Sequence, residues 1–280
     1  MILPNPTTSF GRRRFLGSVA GLTGAALLVA CGKDDPAAGD STAGTTATTG
    51  AAAATTAATA TTAAGAVLDG TPTPSETGGP FPADGSNDNG EGTIANVLAD
   101  GRSVRSDIRA DLDGSNVQPG VPFELDVTVV DIAGAPLAGA AFYIWHCNRD
   151  GEYSEYNSPM LGGDFTDRSF LRGVQVTDTN GTASFSTILP GRYQGRAFHI
   201  HFEVYEDGTY AKRLLTSQMA MDDAQIDALY EQADGYATAL RNETTNARDG
   251  VFSDGVDHQL LTVTGDVTNG LTATFTAVVA

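Results

Sequence analysis

The sequence predicts an all-β fold, a sandwich of mainly antiparallel strands with a short helix near the C-terminal third. Apolar and polar residues alternate over 123–129, which is typical of a strand buried on one face. Turn-forming segments such as 131–139 and 178–181 recur between further short apolar runs. Many short strands at regular spacing, with a single helix among them, favour a β-sandwich.

The remaining elements follow in order along the chain. Further strands are predicted at 141–146, 173–177, 182–187, 199–205, 214–219, 259–264 and 271–279. The segment 178–181 between two of them predicts a hairpin turn. The helix is predicted at 222–230, where Ile226, Leu229 and Tyr230 form an apolar side. The sequence contains no long periodic repeat, phosphate-binding loop or dinucleotide-binding glycine pattern.

The charge balance argues against polyanionic partners. The 280 residues include 34 Asp and Glu but only 16 Lys and Arg, a formal charge of −18. Such an acidic chain is not expected to bind nucleic acid, or an anionic membrane surface by electrostatics. Its two cysteines, Cys31 and Cys147, cannot build a disulfide framework.

Residues 1–30 have the features of an export signal. The segment 12–16 fits the twin-arginine pattern, and an uncharged run over 15–30 follows that is too short to span a bilayer comfortably. The run ends in the segment 28–32, which resembles a bacterial lipobox and implies cleavage before Cys31 and lipid on its sulfur. The alternative is a signal peptide without lipid. We therefore expect an exported protein, anchored to the cell membrane on its periplasmic or outer side.

The next segment, 31–75, is predicted to be a disordered linker. It is rich in alanine and threonine, and 51–64 contains no other residue type, so little apolar surface is available for burial. The composition changes at Glu76, where strand and turn signals begin. The predicted folded domain therefore covers 76–280.

Two histidines, His199 and His201, are the first candidate for chemistry. Residues two apart on a strand point to the same face, and imidazole is the commonest metal-ligating side chain. The intervening and flanking apolar residues, including Ile200 and Phe202, are expected to face the core. By itself this pattern is more typical of two ordinary histidines on a solvated strand.

Further motifs follow one another in a fixed order. They are Gly79-Pro80-Phe81, Trp145-His146, Asp150-Gly151-Glu152-Tyr153, Arg172-Gly173, Thr177-Asp178, Gly181, Pro190-Gly191-Arg192-Tyr193 and His199-Ile200-His201. With this order, residues 75–280 resemble the intradiol ring-cleavage dioxygenases, the family that includes catechol and protocatechuate dioxygenases. The resemblance implies one non-haem Fe(III) per chain, held by Tyr153, Tyr193, His199 and His201. It also implies catalytic roles for Tyr193, Arg196 and Gln218.

These residue types suit a ferric ion. Fe(III) is hard and highly charged, and it favours anionic oxygen ligands. A phenol has an ordinary pKa of about 10, but a bound cation can remove its proton. Two tyrosinates then offset two of the three positive charges. This set differs from the two-histidine, one-carboxylate triad of ferrous oxygenases.

The resemblance implies a reaction as well. A catechol-type substrate and O2 are the expected partners, and a cis,cis-muconate-type diacid is the expected product. Tyr193 would help to take up a substrate proton, Arg196 would stabilise developing negative charge, and Gln218 would hydrogen-bond in the same pocket. Catechol, hydroxyquinol, protocatechuate and lignin-derived phenolics all stay open as substrates.

Two alternatives to this interpretation stay open. One is a non-catalytic β-sandwich binding module for carbohydrate or protein, and the other is a copper site on His199 and His201. The neighbouring residues receive structural interpretations: Trp145 is assigned to the core, His146 to an internal hydrogen bond, and Cys147 to an inert thiol.

Two departures from better-known members affect the expectations. The linker replaces their helical N-terminal dimerisation region, so the oligomeric state is left open. Only five residues separate Tyr193 from His199, which suggests an open pocket. Arg172 is interpreted as a brace for the predicted hairpin.

Overall fold

The computed structural model describes residues 69–193 and 195–280. The predicted signal peptide, the lipid-anchor cysteine Cys31 and most of the predicted linker lie outside these residues. Among the described residues, no helix is both long and apolar enough to cross a membrane.

Strands dominate the described chain. The strands are β1 Asp84–Asp88, β2 Ile94–Asn96, β3 Pro122–Asp131, β4 Ala141–Trp145, β5 Arg172–Val176, β6 Thr182–Ile188, β7 Ile200–Tyr205, β8 Arg213–Met219, β9 Thr262–Asp266 and β10 Gly270–Val279. The helices are α1 Asp223–Gln232 and α2 Ala237–Arg241, and 3-10 turns occur at Val97–Ala99, Gly101–Ser103 and Asn246–Arg248. The predicted helix at 222–230 corresponds to α1, whose N-cap is Asp222.

The strands form two four-stranded sheets and a separate β1–β2 ribbon. One sheet has the order β6-β3-β10-β9 and the other β5-β4-β7-β8. Within the two sheets every neighbouring pair is antiparallel except β3 and β10, which run parallel. The predicted all-β class with mainly antiparallel strands is therefore confirmed.

The hairpin predicted around 178–181 is wrong. The tight turn forms, with the Asp178 side chain accepting from the amides of Asn180 and Thr182. However, β5 before the turn pairs with β4, whereas β6 after it pairs with β3 in the other sheet. A turn motif reports only local backbone geometry. The sheet that each flanking strand joins is decided by partners far away in sequence.

The core between the sheets contains the apolar faces of both. Phe202 of β7 stacks on Phe142 of β4 with ring centroids 5.1 Å apart, and its edge meets Phe275 of β10 at 5.4 Å. Ile200 and Val204 are fully buried in the same cluster, as predicted from the alternation along β7. The histidine face of β7 therefore points away from this core.

That opposite face of the β5-β4-β7-β8 sheet is also buried. Residues 81–98 and the loop 147–156 cover it and form a second apolar cluster with Tyr143 and Trp145 of β4. Every residue of β7 is consequently buried. Polar side chains on this face are therefore removed from water, and each must find a partner or bind something.

Arg172 holds this covering layer in place. Its guanidinium donates to the carbonyls of Phe81 and Pro82 at 2.9 and 3.1 Å, and to the hydroxyl and carbonyl of Ser154 at 2.9 and 2.8 Å. The brace expected at Arg172 is thus present, but it acts on the covering segments and not on a hairpin. Ser154 immediately follows Tyr153, so the brace also fixes one of the candidate ligands.

Candidate metal centre

The four candidate ligands meet in the buried layer above β7. Ring centroids are 5.6 Å apart for Tyr153 and Tyr193, 5.4 Å for Tyr193 and His199, and 4.7 Å for His199 and His201. The Tyr153 hydroxyl lies 3.2 Å from Nε2 of His199. All four side chains belong to residues that are no more than 8% exposed. The structure thus brings together two phenols and two imidazoles from three separate segments.

Glycines allow the two tyrosine loops to pack against each other. Gly151 has a φ of +90°, and a Cβ there would lie 3.0 Å from the Arg192 carbonyl and 3.3 Å from Cβ of Tyr193. A Cβ on Gly191 would collide with the Arg149 carbonyl, and the Gly191 amide donates to the Asn148 carbonyl at 3.1 Å. Larger residues at either position would push the two tyrosines apart.

His199 is oriented by a backbone group. Its Nδ1–H donates to the Ala197 carbonyl at 2.8 Å, which leaves the lone pair on Nε2 directed at the Tyr153 hydroxyl. Such a hydrogen bond on the far nitrogen is the usual way in which a metal-binding histidine is oriented.

His201 is held by ring packing. Its ring lies flat on Trp145, with centroids 4.9 Å apart and planes within 1°, because β4 and β7 place the two residues opposite each other. Its buried Nδ1 has no hydrogen-bond partner among the described residues. Trp145, which the sequence assigns only to the core, therefore also forms the floor of the site.

Burial leaves all four groups neutral in the metal-free protein. It raises the pKa of Tyr153 well above its ordinary value and also raises the pKa of Tyr193, where Arg196 partly opposes the shift. It lowers the pKa of both His199 and His201 well below the usual range. Neutral imidazoles can donate a lone pair at once, whereas the phenols must first lose a proton.

This donor set fits a ferric ion better than copper. Within 69–193 and 195–280, no group of three or more His, Cys, Asp or Glu residues is placed to hold a metal. The phenol oxygens of Tyr153 and Tyr193 complete the candidate donor set beside the two histidines, and anionic oxygen suits a hard, highly charged cation. Both ring nitrogens of His146 are hydrogen-bonded, Nε2 to the Thr187 hydroxyl at 2.7 Å and Nδ1 to the Cys147 carbonyl at 2.8 Å. Burial raises the pKa of the Cys147 thiol to about 12, so it offers no thiolate.

Arg196 and Gln218, the two remaining candidates, lie beside Tyr193. Nη1 of Arg196 donates to the Tyr193 hydroxyl at 3.2 Å, and Nη2 donates to the Gln218 side-chain oxygen at 2.5 Å. The Gln218 amide in turn donates to the Thr77 carbonyl at 2.8 Å. One cationic group therefore faces the four candidate ligands from a fixed direction.

Sequence reasoning missed one residue of this assembly, Asp249. Both of its carboxylate oxygens accept from Nε of Arg196, at 2.9 and 2.8 Å. It lies in a loop more than 50 residues away in sequence, next to a 3-10 turn, and no periodicity or motif marks it. Glu203, by contrast, shares the histidine face but is bonded to Tyr205, Arg213 and Thr216 and does not reach the cluster.

Comparison with known proteins places the chain among enzymes. A family model described as "Dioxygenase" matches residues 99–251. The chlorocatechol 1,2-dioxygenase of Rhodococcus opacus is 29% identical over 150 residues, which cover 47% of this chain and 53% of the relative. The catechol 1,2-dioxygenase of Acinetobacter baylyi is 31% identical over 164 residues, 52% of this chain and 46% of the relative. The chain thus spans about half the length of these relatives.

A solved structure supports the fold. An intradiol ring-cleavage dioxygenase from Tetranychus urticae superposes with a TM-score of 0.59 at 23% sequence identity. The match covers 75% of this chain and 94% of that one. The similarity in architecture therefore extends well beyond the segment that the family model matches.

The contact between Gly79 and His201 allows a sharp test of the site. A Cβ on Gly79 would lie 3.2 Å from Cε1 of His201, and φ is +70°. We expect Gly79→Ala to displace the ring and to lower the iron content of the purified protein. The matched control is Gly139→Ala, which has a similar φ of +83° but open space around the new methyl group. Both variants carry a backbone cost of about 1–2 kcal/mol, so equal iron loss in the two would contradict a local effect on His201.

Iron binding should depend on pH with a definite sign. Because burial raises the pKa of both tyrosines and lowers that of both histidines, metal binding must displace protons from the phenols alone. We therefore expect iron retention against a chelator to fall as the pH is lowered, with about two protons competing per ion. Tyr153→Phe should give a shallower dependence, and a retention that does not vary with pH would rule out phenolate ligands.

Proposed function

This chain belongs to the intradiol ring-cleavage dioxygenase family, and from that premise we propose that it cleaves catechol-type aromatics with O2. The bond broken is the one between the two hydroxylated carbons, and the product is a cis,cis-muconate-type diacid. The substrate loses four electrons and O2 gains four, so both oxygen atoms enter the product and no outside reductant is needed. For catechol itself, the diacid contains all the atoms of the substrate together with those of one O2 molecule.

The observation that carries the proposal is the buried meeting of two phenols with two imidazoles. A carbohydrate- or protein-binding module has no use for four such groups sealed beneath a covering layer. Tyr153, Tyr193, His199 and His201 would hold the ferric ion, with Nε2 of His199 and the Tyr153 hydroxyl already 3.2 Å apart. When bound, the ion would accept the catecholate oxygens and draw electron density from the ring, which makes a ring carbon reactive towards O2.

Tyr193 is the residue suited to handle the substrate proton. Its hydroxyl receives a hydrogen bond from Nη1 of Arg196 at 3.2 Å, so a negative charge on this oxygen would be stabilised. The Tyr153 hydroxyl, in contrast, lies 3.2 Å from Nε2 of His199, and among the described residues it has no hydrogen bond to a cationic side chain. The two phenols are therefore not equivalent: Arg196 makes the phenolate form of Tyr193 the more accessible one, and a phenolate must be present before this residue can take up a catechol proton.

Arg196 and Gln218 would act on the reacting substrate. Arg196 supplies a positive charge in a site that the covering layer shields from water, where electrostatic stabilisation is strongest. Gln218 receives one Nη2 hydrogen bond and is itself fixed by the Thr77 carbonyl. The pair would stabilise negative charge that develops on the ring and on the new carbonyl oxygen.

The ligand assignment can be tested by colour. The iron-loaded protein should be burgundy, because tyrosinate-to-Fe(III) charge transfer absorbs broadly in the visible range. We expect Tyr153→Phe and Tyr193→Phe each to reduce or shift this band. Tyr210→Phe is the control, since this residue packs on Tyr205 away from the centre. A colourless protein that contains stoichiometric iron would overturn the assignment.

The reaction can be tested with the same preparation. Incubation with catechol, hydroxyquinol and protocatechuate should produce muconate-type absorbance with at least one of them, together with uptake of one O2 per ring. Iron binding without turnover of any catechol would favour the non-catalytic binding module instead.

We also propose that the enzyme works outside the cytoplasm, anchored through lipid on Cys31. The support is the twin-arginine pattern at 12–16 and the lipobox-like segment 28–32. Replacing Cys31 by alanine should move the protein from the membrane fraction to the soluble fraction of the expressing bacterium. Replacing the buried Cys147 by alanine should leave the fractionation unchanged, and an unaltered distribution of Cys31→Ala would refute the anchor.

A further inference from the structure

We propose that Asp249 is a positioning residue, which aims the Arg196 guanidinium at the four candidate ligands and holds its Nη1 beside Nε2 of His199, 3.4 Å away. The inference rests on the proposed ring-cleavage function, because that function makes Arg196 a catalytic group. Asp249 itself touches none of the four ligands. Its action is on the arginine and on one backbone amide.

Asp249 acts first through an ion pair with Arg196, which uses only the Nε of the guanidinium. Nε of Arg196 donates to both oxygens of Asp249, at 2.9 and 2.8 Å, and the Asp249 side chain has no exposure to solvent. The Arg196 side chain is only 12% exposed. Without its partner this cation would be largely buried and uncompensated, which is a strongly unfavourable state.

The geometry of the pair decides where the other two nitrogens point. Because Asp249 occupies Nε, Nη1 is directed at the Tyr193 hydroxyl at 3.2 Å and Nη2 at Gln218 at 2.5 Å. A free arginine side chain samples many rotamers, with about 2 kcal/mol of rotamer entropy. The ion pair selects one of them before any substrate arrives.

The second link joins the same carboxylate to a ligand. Oδ2 of Asp249 also accepts from the Ala197 amide at 2.8 Å. The carbonyl of Ala197 receives the Nδ1–H of His199, also at 2.8 Å. One carboxylate therefore fixes the arginine on one side and, through a single residue, the orientation of a ligand on the other.

Asp249 is itself held firmly enough to serve as a reference point. Its amide donates to the carbonyls of Thr245 and Asn246, at the start of the 3-10 turn Asn246–Arg248. These two hydrogen bonds close the turn. Asn246 is tied to the entrance of α1 through the Met221 carbonyl and the Asp223 carboxylate. The Phe252 ring lies 5.9 Å from the Arg196 guanidinium carbon and closes that side of the pair.

A double-mutant cycle tests the proposal. Asp249→Asn keeps the shape of the side chain and removes its charge, and Arg196→Met removes the group on which Asp249 acts. In the iron-loaded enzyme we expect Asp249→Asn to lower kcat about 10- to 100-fold, the range that small misplacement of a catalytic group produces. In the Arg196→Met background the same substitution should change kcat less than about threefold.

The visible charge-transfer band gives the readout that is independent of turnover. It should persist in Asp249→Asn with unchanged iron content, because the candidate ligands are still present and the asparagine oxygen can still accept from the Ala197 amide. Loss of the band, or an equal loss of kcat in both backgrounds, would show that Asp249 is merely structural and would overturn the proposal. A wild-type protein that binds iron but turns over no catechol would instead overturn the proposed function, and this inference with it.

Asp227→Asn is the matched control. Asp227 pairs at 2.7 Å with Arg192, the neighbouring arginine on the other side of Tyr193, whose guanidinium lies over Tyr230 and not in the centre. We expect little change in kcat.

If Asp249→Asn does not accumulate as folded protein, Arg196→Lys examines the same geometry. A lysine keeps the charge but has one nitrogen, which cannot bond Asp249 and reach Tyr193 together, so an unchanged kcat in Arg196→Lys would overturn the proposal.

Discussion

The register between β4 and β7 is the constraint on which the centre depends. It places Trp145 opposite His201, so that the indole becomes the floor beneath the ring. The same register sets Ile144 against Phe202 on the other face, where both pack in the core between the sheets. A slip of one residue would exchange the two faces and turn the histidine into the apolar core. Core packing therefore determines the position of a functional side chain.

The two candidate tyrosine ligands come from loops, and their positions depend on close backbone packing. Gly151 and Gly191 allow the segment that carries Tyr153 to lie against the one that carries Tyr193. Arg172 then fastens the covering layer over both. Burial under this layer keeps all four donors neutral, and a bound cation can compensate the removal of the phenol protons in such surroundings.

Sequence reasoning succeeded where the signal is local and failed where it is not. The alternation along 199–205 located the shared face of His199 and His201, and the family resemblance supplied Tyr153, Tyr193, Arg196 and Gln218, all of which the structure brings together. The hairpin at 178–181 was wrong because a turn does not specify which sheet its strands join. Asp249 was missed because its partner is 53 residues away, and a buried ion pair leaves no periodic trace.

The sequence by itself determined the fold class, the apolar faces of the strands and the residue types available for a candidate metal centre. These depend on the short-range pattern of side chains, which burial and backbone geometry translate directly into strands and turns. Only the tertiary structure decided which sheet each strand joins, that Trp145 lies under His201, and that Asp249 holds Arg196. Those features depend on contacts between distant segments, and such contacts exist only once the two sheets and their covering loops have packed together.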